Sequence, residues 1–224
     1  MESAASSLDH DVMTDAGSMT AVVLAAGRAS RMGEEKLLLP LGGAPVIRHV
    51  VEAVLAARPR ETIVVVNPRN RDAIVGALRG LDPRVVCNDR FADGIATSIA
   101  AGVAAASAAS EGVILVQGDQ PFVTTDMLLA LVAAWQEERP AFVAASYGGL
   151  RTTPVLFARA LYPELRALEG DVGARSVLAR HRGATVAFPE AAGSDLDTKA
   201  DYQAVRAVWS SKEDIRKRMR KRRS

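Results

Sequence analysis

A chain of 224 residues with a formal net charge of +2, 49% apolar residues, 24% charged residues and only 4% aromatics has material for one ordinary soluble domain with an interior of Ala, Val, Leu and Ile. A single cysteine, Cys87, excludes an intrachain disulfide, and the longest small-residue run, Ile99–Ala109, falls far short of the roughly 20 apolar residues of a membrane-spanning helix. Eight basic residues against two acidic ones give residues 212–224 six positive charges and leave four negative ones on residues 1–211, so the basicity describes a tail and not the domain.

Residues Met1–Ser18 are polar and acidic, lack the basic start and apolar stretch of a secretory signal, and read as a disordered leader with an alternative start at Met19. A single domain is expected over residues 19–209, with the basic tail over 210–224, and the cytoplasm is the default location. The tail is a candidate contact for nucleic acid or an acidic partner, although a solvated, frayed terminus is the commoner explanation and nucleic acid is not expected as a ligand.

Ala21–Leu24 predicts a buried strand, and the apolar spacing of Val46, Ile47, Val50, Val51, Val54 and Leu55 predicts a helix over Pro45–Arg58. Thr62–Val66 is an apolar β-branched strand ended by Asn67-Pro68, Asp72–Leu78 a short helix, and Arg84–Cys87 a third strand whose cysteine is expected in the core. A helix from Ile95 to about Ala108 leads to the strand Gly112–Val116 and then to Gln117-Gly118-Asp119-Gln120-Pro121. Strands alternating with helices of this length require crossover connections, so an α/β fold follows: a mostly parallel sheet covered by helices on both faces. The second half reads as helix Thr125–Glu138, strand Ala141–Ala145, a Gly148-Gly149 turn, strand Pro154–Phe157, helix Ala158–Leu168, a segment Val172–Arg180, strand Thr185–Phe188 and a last helix from Lys199 to Trp209. In such sheets ligands sit beyond the carboxyl ends of the strands, so the loops after Leu24, Cys87 and Val116 should open onto one crevice.

The first of these loops is the most informative. The strand breaks into Ala25-Ala26-Gly27-Arg28-Ala29-Ser30-Arg31-Met32-Gly33 and then Glu34-Glu35-Lys36, small residues and two glycines that let backbone approach a ligand, with Arg31 and Lys36 beside them. That suits a phosphate chain, yet the spacing is neither G-x-G-x-x-G nor G-x-x-x-x-G-K-[ST]. Asp119 follows a wholly apolar strand and should project at its carboxyl end, where a carboxylate facing a triphosphate suits a Mg²⁺ ligand; a helix cap or turn aspartate is the competing reading. In Asp195-Leu196-Asp197-Thr198 two acids separated by one residue share a side of an extended segment, and Asp197 or Thr198 also suits an N-cap. Gly94 permits a turn, and Thr97 and Ser98 fall in the first turn of a helix, where they either meet a polar ligand or cap. His10, His49 and His181 are scattered and lack the spacing of a zinc pair.

The pattern LAAG-x-x-S-R-M-G-x-x-K-x-L-L-x-x-G at Leu24–Gly42 resembles the signature of the MobA/MocA-type nucleotidyltransferases, which attach a nucleotide to molybdopterin cofactors. The resemblance spans about Ala21–Tyr202 and implies a three-layer Rossmann-like fold of the nucleotide-diphospho-sugar transferase type. It implies that Leu24, Ala25, Ala26, Gly27 and Gly33 surround the nucleotide with Arg31 and Lys36 on its triphosphate, and that Asp119 of GDQP holds the metal where relatives have GDMP. It further implies that Asn88, Gly94, Thr97 and Ser98, matching N-x-x-x-x-x-G-x-x-x-S, frame base and ribose. In the place of the family's D-x-D-T-P, Asp197 would complete the metal site with Asp195 as support, Lys199 standing where relatives have proline. Where relatives often show G-H-P, this chain has Arg151-Thr152-Thr153-Pro154, which leaves the acceptor contacts open.

The expected activity is therefore Mg²⁺-dependent transfer of a nucleoside monophosphate from a nucleoside triphosphate to a phosphorylated acceptor. CTP and molybdopterin come first because LAAG marks mostly cytidylyl members. A molybdoenzyme or its chaperone is the expected protein partner. A sugar-phosphate or other small-phosphate nucleotidyltransferase is the alternative within the class, and a nucleotide-binding module or redox protein on the same fold the alternative outside it.

Overall fold

A computed structural model describes residues 15–27 and 35–221, the last ten by backbone alone. The leader up to Thr14, Arg31 and Gly33 of the glycine loop, and the last three residues lie outside the described residues.

One sheet of seven strands organises the chain. Its strands are β1 (Met19–Leu24), β4 (Glu61–Val66), β5 (Arg84–Cys87), β6 (Gly112–Gln117), β7 (Phe142–Tyr147), β8 (Leu150–Ala158) and β9 (Ala184–Phe188), in the spatial order β5-β4-β1-β6-β8-β7-β9. A separate two-stranded ribbon pairs β2 (Pro40–Leu41) with β3 (Ala44–Pro45). Strand pairs β5/β4, β4/β1, β1/β6 and β7/β9 are parallel, and only β8 runs against its neighbours β6 and β7. The β7–β8 hairpin closes through Gly148 (φ 55°) and Gly149 (φ 85°), two consecutive residues in the left-handed region, which is the backbone of the tightest hairpin turn.

Parallel strands covered on both faces have no polar side to show, so they read as continuous apolar runs, and alternate residues divide between two cores. Val23, Val64, Val66, Ile114 and Val116 pack on one face under helices α1 (Val46–Ala56), α2 (Arg71–Ala77) and α4 (Thr125–Glu138). Val22, Ile63, Val65, Val113 and Leu115 pack on the other under α3 (Ile95–Ala105), α5 (Tyr162–Arg166) and α6 (Arg175–Arg180). Fully burying each such side chain contributes about 1.5–3 kcal/mol. A Cβ at Gly102 would collide with Val22, so the glycine sets how closely α3 lies on β1. Helix α4 begins as expected, with Thr124 Oγ1 accepting from Met127 N at 3.3 Å.

The three-layer α/β expectation is met, and the departures are local. Strand β8 begins at Leu150 and not at Pro154, because Leu150–Thr152 pair with Ala145–Tyr147 beyond a bulge of β8 at Thr153-Pro154 while exposed or half-buried, and so carry no apolar signature. The helix expected over Ala158–Leu168 is a single 3₁₀ turn, Arg159–Leu161, followed by the short α5. Cys87, expected in the core, is exposed: β5 is the edge strand, and the thiol lies 3.8 Å from Asp89. Desolvation and the Asp89 charge push its pKa up, which makes it a poor nucleophile. The last helix, α7, runs from Lys199 to Lys221, past the expected end at Trp209 into the segment read as tail. Among the described residues no helix is long and apolar enough to cross a membrane.

Candidate active site

The carboxyl ends of β1 and β6 and the segment after β5 open onto one cleft of ≈ 610 Å³, as parallel topology dictates. Leu24, Ala26 and Gly27 line it from the first loop, Gly94 and Ser98 from the segment after β5, and Asp119, Asp195 and Asp197 from the acidic segments. Gly118 keeps the first and second of these ends together: its N–H donates to Leu24 O at 3.0 Å, and a Cβ there would lie 2.8 Å from Ile47 Cδ1.

Lys36 is the electrostatic centre. It sits on a 3₁₀ turn, Lys36–Leu38, and its ammonium contacts Asp119 Oδ2 at 2.5 Å and Asp197 Oδ1 at 3.1 Å. Burial alone would lower the lysine's pKa, but the charges and hydrogen bonds of the two carboxylates outweigh it, and the net shift is upward. Asp119 and Asp197, 78 positions apart in the chain, thus converge on one cation.

The convergence is held from behind. Thr198 N and Oγ1 donate to Asp201 Oδ2 at 2.7 and 2.8 Å, and Asp201 N donates back to Thr198 Oγ1 at 3.2 Å. This reciprocal cap makes Thr198 and Asp201 the helix-starting pair and leaves the Asp197 carboxylate for the cleft. Tyr202 of α7 donates to Pro40 O at 2.5 Å, and Trp209 packs against His49 and Phe122 at centroid distances of 4.4 and 5.9 Å. Helix α7 is therefore clamped to the ribbon that follows Lys36. Asp195 takes a different part. Its Oδ1 accepts from Gln120 Nε2 at 2.7 Å, and burial, reinforced by the Asp119 charge, raises its pKa. Gln120, the departure from GDMP, is fully buried and bonds the carboxylate read as support.

The expected nucleotide residues divide into wall and scaffold. Asn88, 5% exposed, donates to Thr97 Oγ1 and Ser98 Oγ, both at 2.9 Å, while Thr97 donates on to Arg90 O and Gly94 O. Of the three side chains only Ser98 reaches the cleft; Asn88 and Thr97 lie behind it, and so does Ala25 in the first loop. Gly94 has φ 110° and lies against Gly170, where a Cβ would clash and would approach Asp171 Oδ1 to 2.7 Å.

Two residues that sequence reasoning passed over build the first loop. Buried Asn67 donates to Ala26 O at 3.2 Å, and buried Asn70 donates to Ala25 O at 2.8 Å and to Glu35 Oε2 at 3.2 Å. They thereby occupy backbone acceptors that the loop leaves unpaired. Burial raises the Glu35 pKa, and the Asn70 bond opposes it. The only visible signal was Asn67-Pro68 at the end of a strand, which reads as an ordinary turn.

A model described as "MobA-like NTP transferase domain" matches residues 21–186. The purine catabolism protein PucB of Bacillus subtilis is 33% identical over 201 residues, covering 84% of this chain and 96% of that protein. The nicotine blue oxidoreductase of Paenarthrobacter nicotinovorans is 30% identical over 199 residues, covering 83% of this chain and 95% of that protein. Among solved structures, Rv0371c of Mycobacterium tuberculosis H37Rv superposes with a TM-score of 0.77 at 27% identity over 86% of this chain and 99% of its own; a second structure of it is described as a complex with manganese. With its glycine loop at the end of β1 and its matched region reaching from that strand into β9, the chain belongs to the MobA-like NTP transferase family.

Proposed function

We propose that this protein is a Mg²⁺-dependent nucleotidyltransferase that moves a nucleoside monophosphate, CMP by preference, from the triphosphate to a phosphorylated acceptor of the molybdopterin type and releases pyrophosphate. The observation that carries the reading is the meeting of Lys36, Asp119 and Asp197 beside the wall formed by Leu24, Ala26 and Gly27. Family membership supports the class of reaction; the preference for CTP and molybdopterin rests on the LAAG form of the loop.

The donor set suits a hard divalent ion. Among the described residues no three Asp, Glu, His or Cys side chains form a metal cage of their own, and Mg²⁺ typically takes one or two carboxylates and completes its shell with phosphate and water oxygens. Asp119 and Asp197 would hold the ion, with Asp195 behind them. When bound, it would neutralise charge on the phosphates. The chain's own work is positioning. The wall of Leu24, Ala26 and Gly27 together with Ser98 would fix the nucleotide, the cleft would align an acceptor phosphate oxygen with the α-phosphorus, and Lys36 would offer its charge to the departing pyrophosphate.

Thermal shift with CTP, GTP, UTP and ATP in the presence of Mg²⁺, followed by pyrophosphate release with molybdopterin as acceptor, tests this. CTP is expected to give the largest shift and to support release. No shift with any nucleotide would refute the nucleotidyltransferase reading, and stabilisation by nucleotide with no transfer to any phosphorylated acceptor would favour a binding or redox role such as the name of the Paenarthrobacter relative carries.

A further inference from the structure

The wall of the cleft has two unlike parts. Lys36, Asp119 and Asp197 make one of them ionic, whereas Leu24, Phe91 and Ile95 give another stretch of it an apolar surface. Ile95, at the start of α3, is left 38% exposed although the domain buries most of its large apolar side chains. Phe91 is half-buried, and among the described residues it is the single aromatic side chain on the wall.

Residues that do not themselves reach the cleft fix the position of Phe91. It opens a 3₁₀ turn, Phe91–Asp93, between β5 and α3. Arg90 N donates to Asn88 Oδ1 at 3.0 Å, while Thr97 Oγ1 and Asp93 N each donate to Arg90 O at 2.9 Å. The residue before Phe91 is thus held at both its N–H and its carbonyl. From the segment after β4, the Arg69 guanidinium lies over the Phe91 ring, 5.5 Å from its centroid, and Arg69 N is in turn held by Asn67 Oδ1 at 2.8 Å. Side-chain networks at the ends of two strands therefore converge on one ring. A ring ordered in advance has little freedom left to lose when a ligand settles on it.

In a nucleoside triphosphate the phosphates are ionic and the ribose is polar, so the base is the part that offers an extended π face to an aromatic side chain. Stacking on such a side chain is a general means of holding a base, and a guanidinium over the ring adds a cation–π contact that keeps the ring in place. We propose that Phe91 is the platform on which the nucleobase stacks and that Arg69 is a positioning residue that braces it. The assignment rests on the nucleotide reading and adds to it the residue that carries the base. It also gives Asn88 and Thr97 an indirect part: they act on the base through Phe91 and not by touching the nucleotide.

Calorimetric titration of the full chain with CTP and with inorganic triphosphate, each with Mg²⁺, tests the proposal. Phe91→Leu, which keeps an apolar side chain and removes the aromatic face, is expected to weaken CTP by about tenfold and to leave inorganic triphosphate unchanged. Phe91→Trp is expected to retain CTP binding, and the indole fluorescence it adds to respond to CTP but not to inorganic triphosphate. Arg69→Gln is expected to weaken CTP by about threefold on its own and to have no further effect beside Phe91→Leu. A CTP affinity indifferent to Phe91→Leu, or an equal loss for inorganic triphosphate, would overturn the platform while leaving the nucleotide reading intact. An Arg69→Gln effect undiminished beside Phe91→Leu would overturn the bracing. Failure of the wild-type chain to bind CTP or any other nucleotide would overturn the nucleotide reading and the platform with it.

Discussion

At Asp119, removing one carboxylate empties a buried position, the side chain being 10% exposed against 52% for Asp197, but it leaves Lys36 with Asp197 as a partner. Asp119→Ala should lower turnover by about two to three orders of magnitude with little change in melting temperature. Steady-state rates beside a melting curve check it, and near-normal turnover would overturn the proposed role of Asp119 as a metal ligand. Asn70→Ala acts on stability and binding together. It strips Ala25 O and Glu35 of their buried donor, and leaving such a group unsatisfied costs about 1–3 kcal/mol, or about 2–4 °C of melting temperature per kcal/mol in a chain of this size. The loosened loop should also raise KM for the nucleotide; an unchanged KM would show that Asn70 supports the fold only. The sequence positions of Asp119, Asp197 and the loop start at Leu24–Gly27 were legible as strand-end segments because their neighbours in the chain announce them. Asn67 and Asn70 were not, since a hydrogen bond across 40 or more residues leaves no local pattern, and the contact of Lys36 with Asp197 spans 161.

Whole elements follow the same division. Strands β1, β4, β5 and β6 were readable from apolar runs, because parallel strands covered on both faces allow no polar alternation. The opening of β8 was not, because Leu150–Thr152 pairs through its backbone while its side chains are exposed or half-buried. The turn that starts α3 is a point of high constraint. Gly94→Ala places a methyl against Gly170 at φ 110°, so a loss of about 1–3 kcal/mol by chemical denaturation is expected, together with a weakened nucleotide site. Helices α5 and α6 are joined by Glu164, which accepts from Arg180 Nη2 at 2.9 Å and faces His181 Nε2 at 2.6 Å. The Arg180 bond leads in holding the Glu164 pKa below 4.5, so the stability it contributes is present above pH 4.5 and lost as pH falls through the folded value. Glu164→Gln should therefore melt slightly below wild type at pH 7 and together with it in stronger acid; a gap independent of pH would assign the effect to packing.

For the molecule as a whole, the charge asymmetry poses the open question of the last helix. Its first three turns are tied to the domain through Tyr202, Val205 and Trp209, whereas the excess of six positive charges lies beyond residue 211. Deleting residues 212–224 should leave transfer rates and melting temperature unchanged and shift the isoelectric point to the acid side, since four negative charges remain. A rate lost only at low salt, where screening lengths reach about 30 Å, would instead make the helix a steering device for anionic substrates. The reversal of β8 has a wider consequence. The loops that carry Leu24, Gly27, Gly94 and Ser98 to the cleft follow parallel strands, whereas Arg151–Thr153 sits on a hairpin joined to the rest of the sheet through the β6–β8 and β7–β9 pairings. The hairpin tip is therefore a place where the chain can vary in length and sequence while the strand ends that carry those loops keep their register.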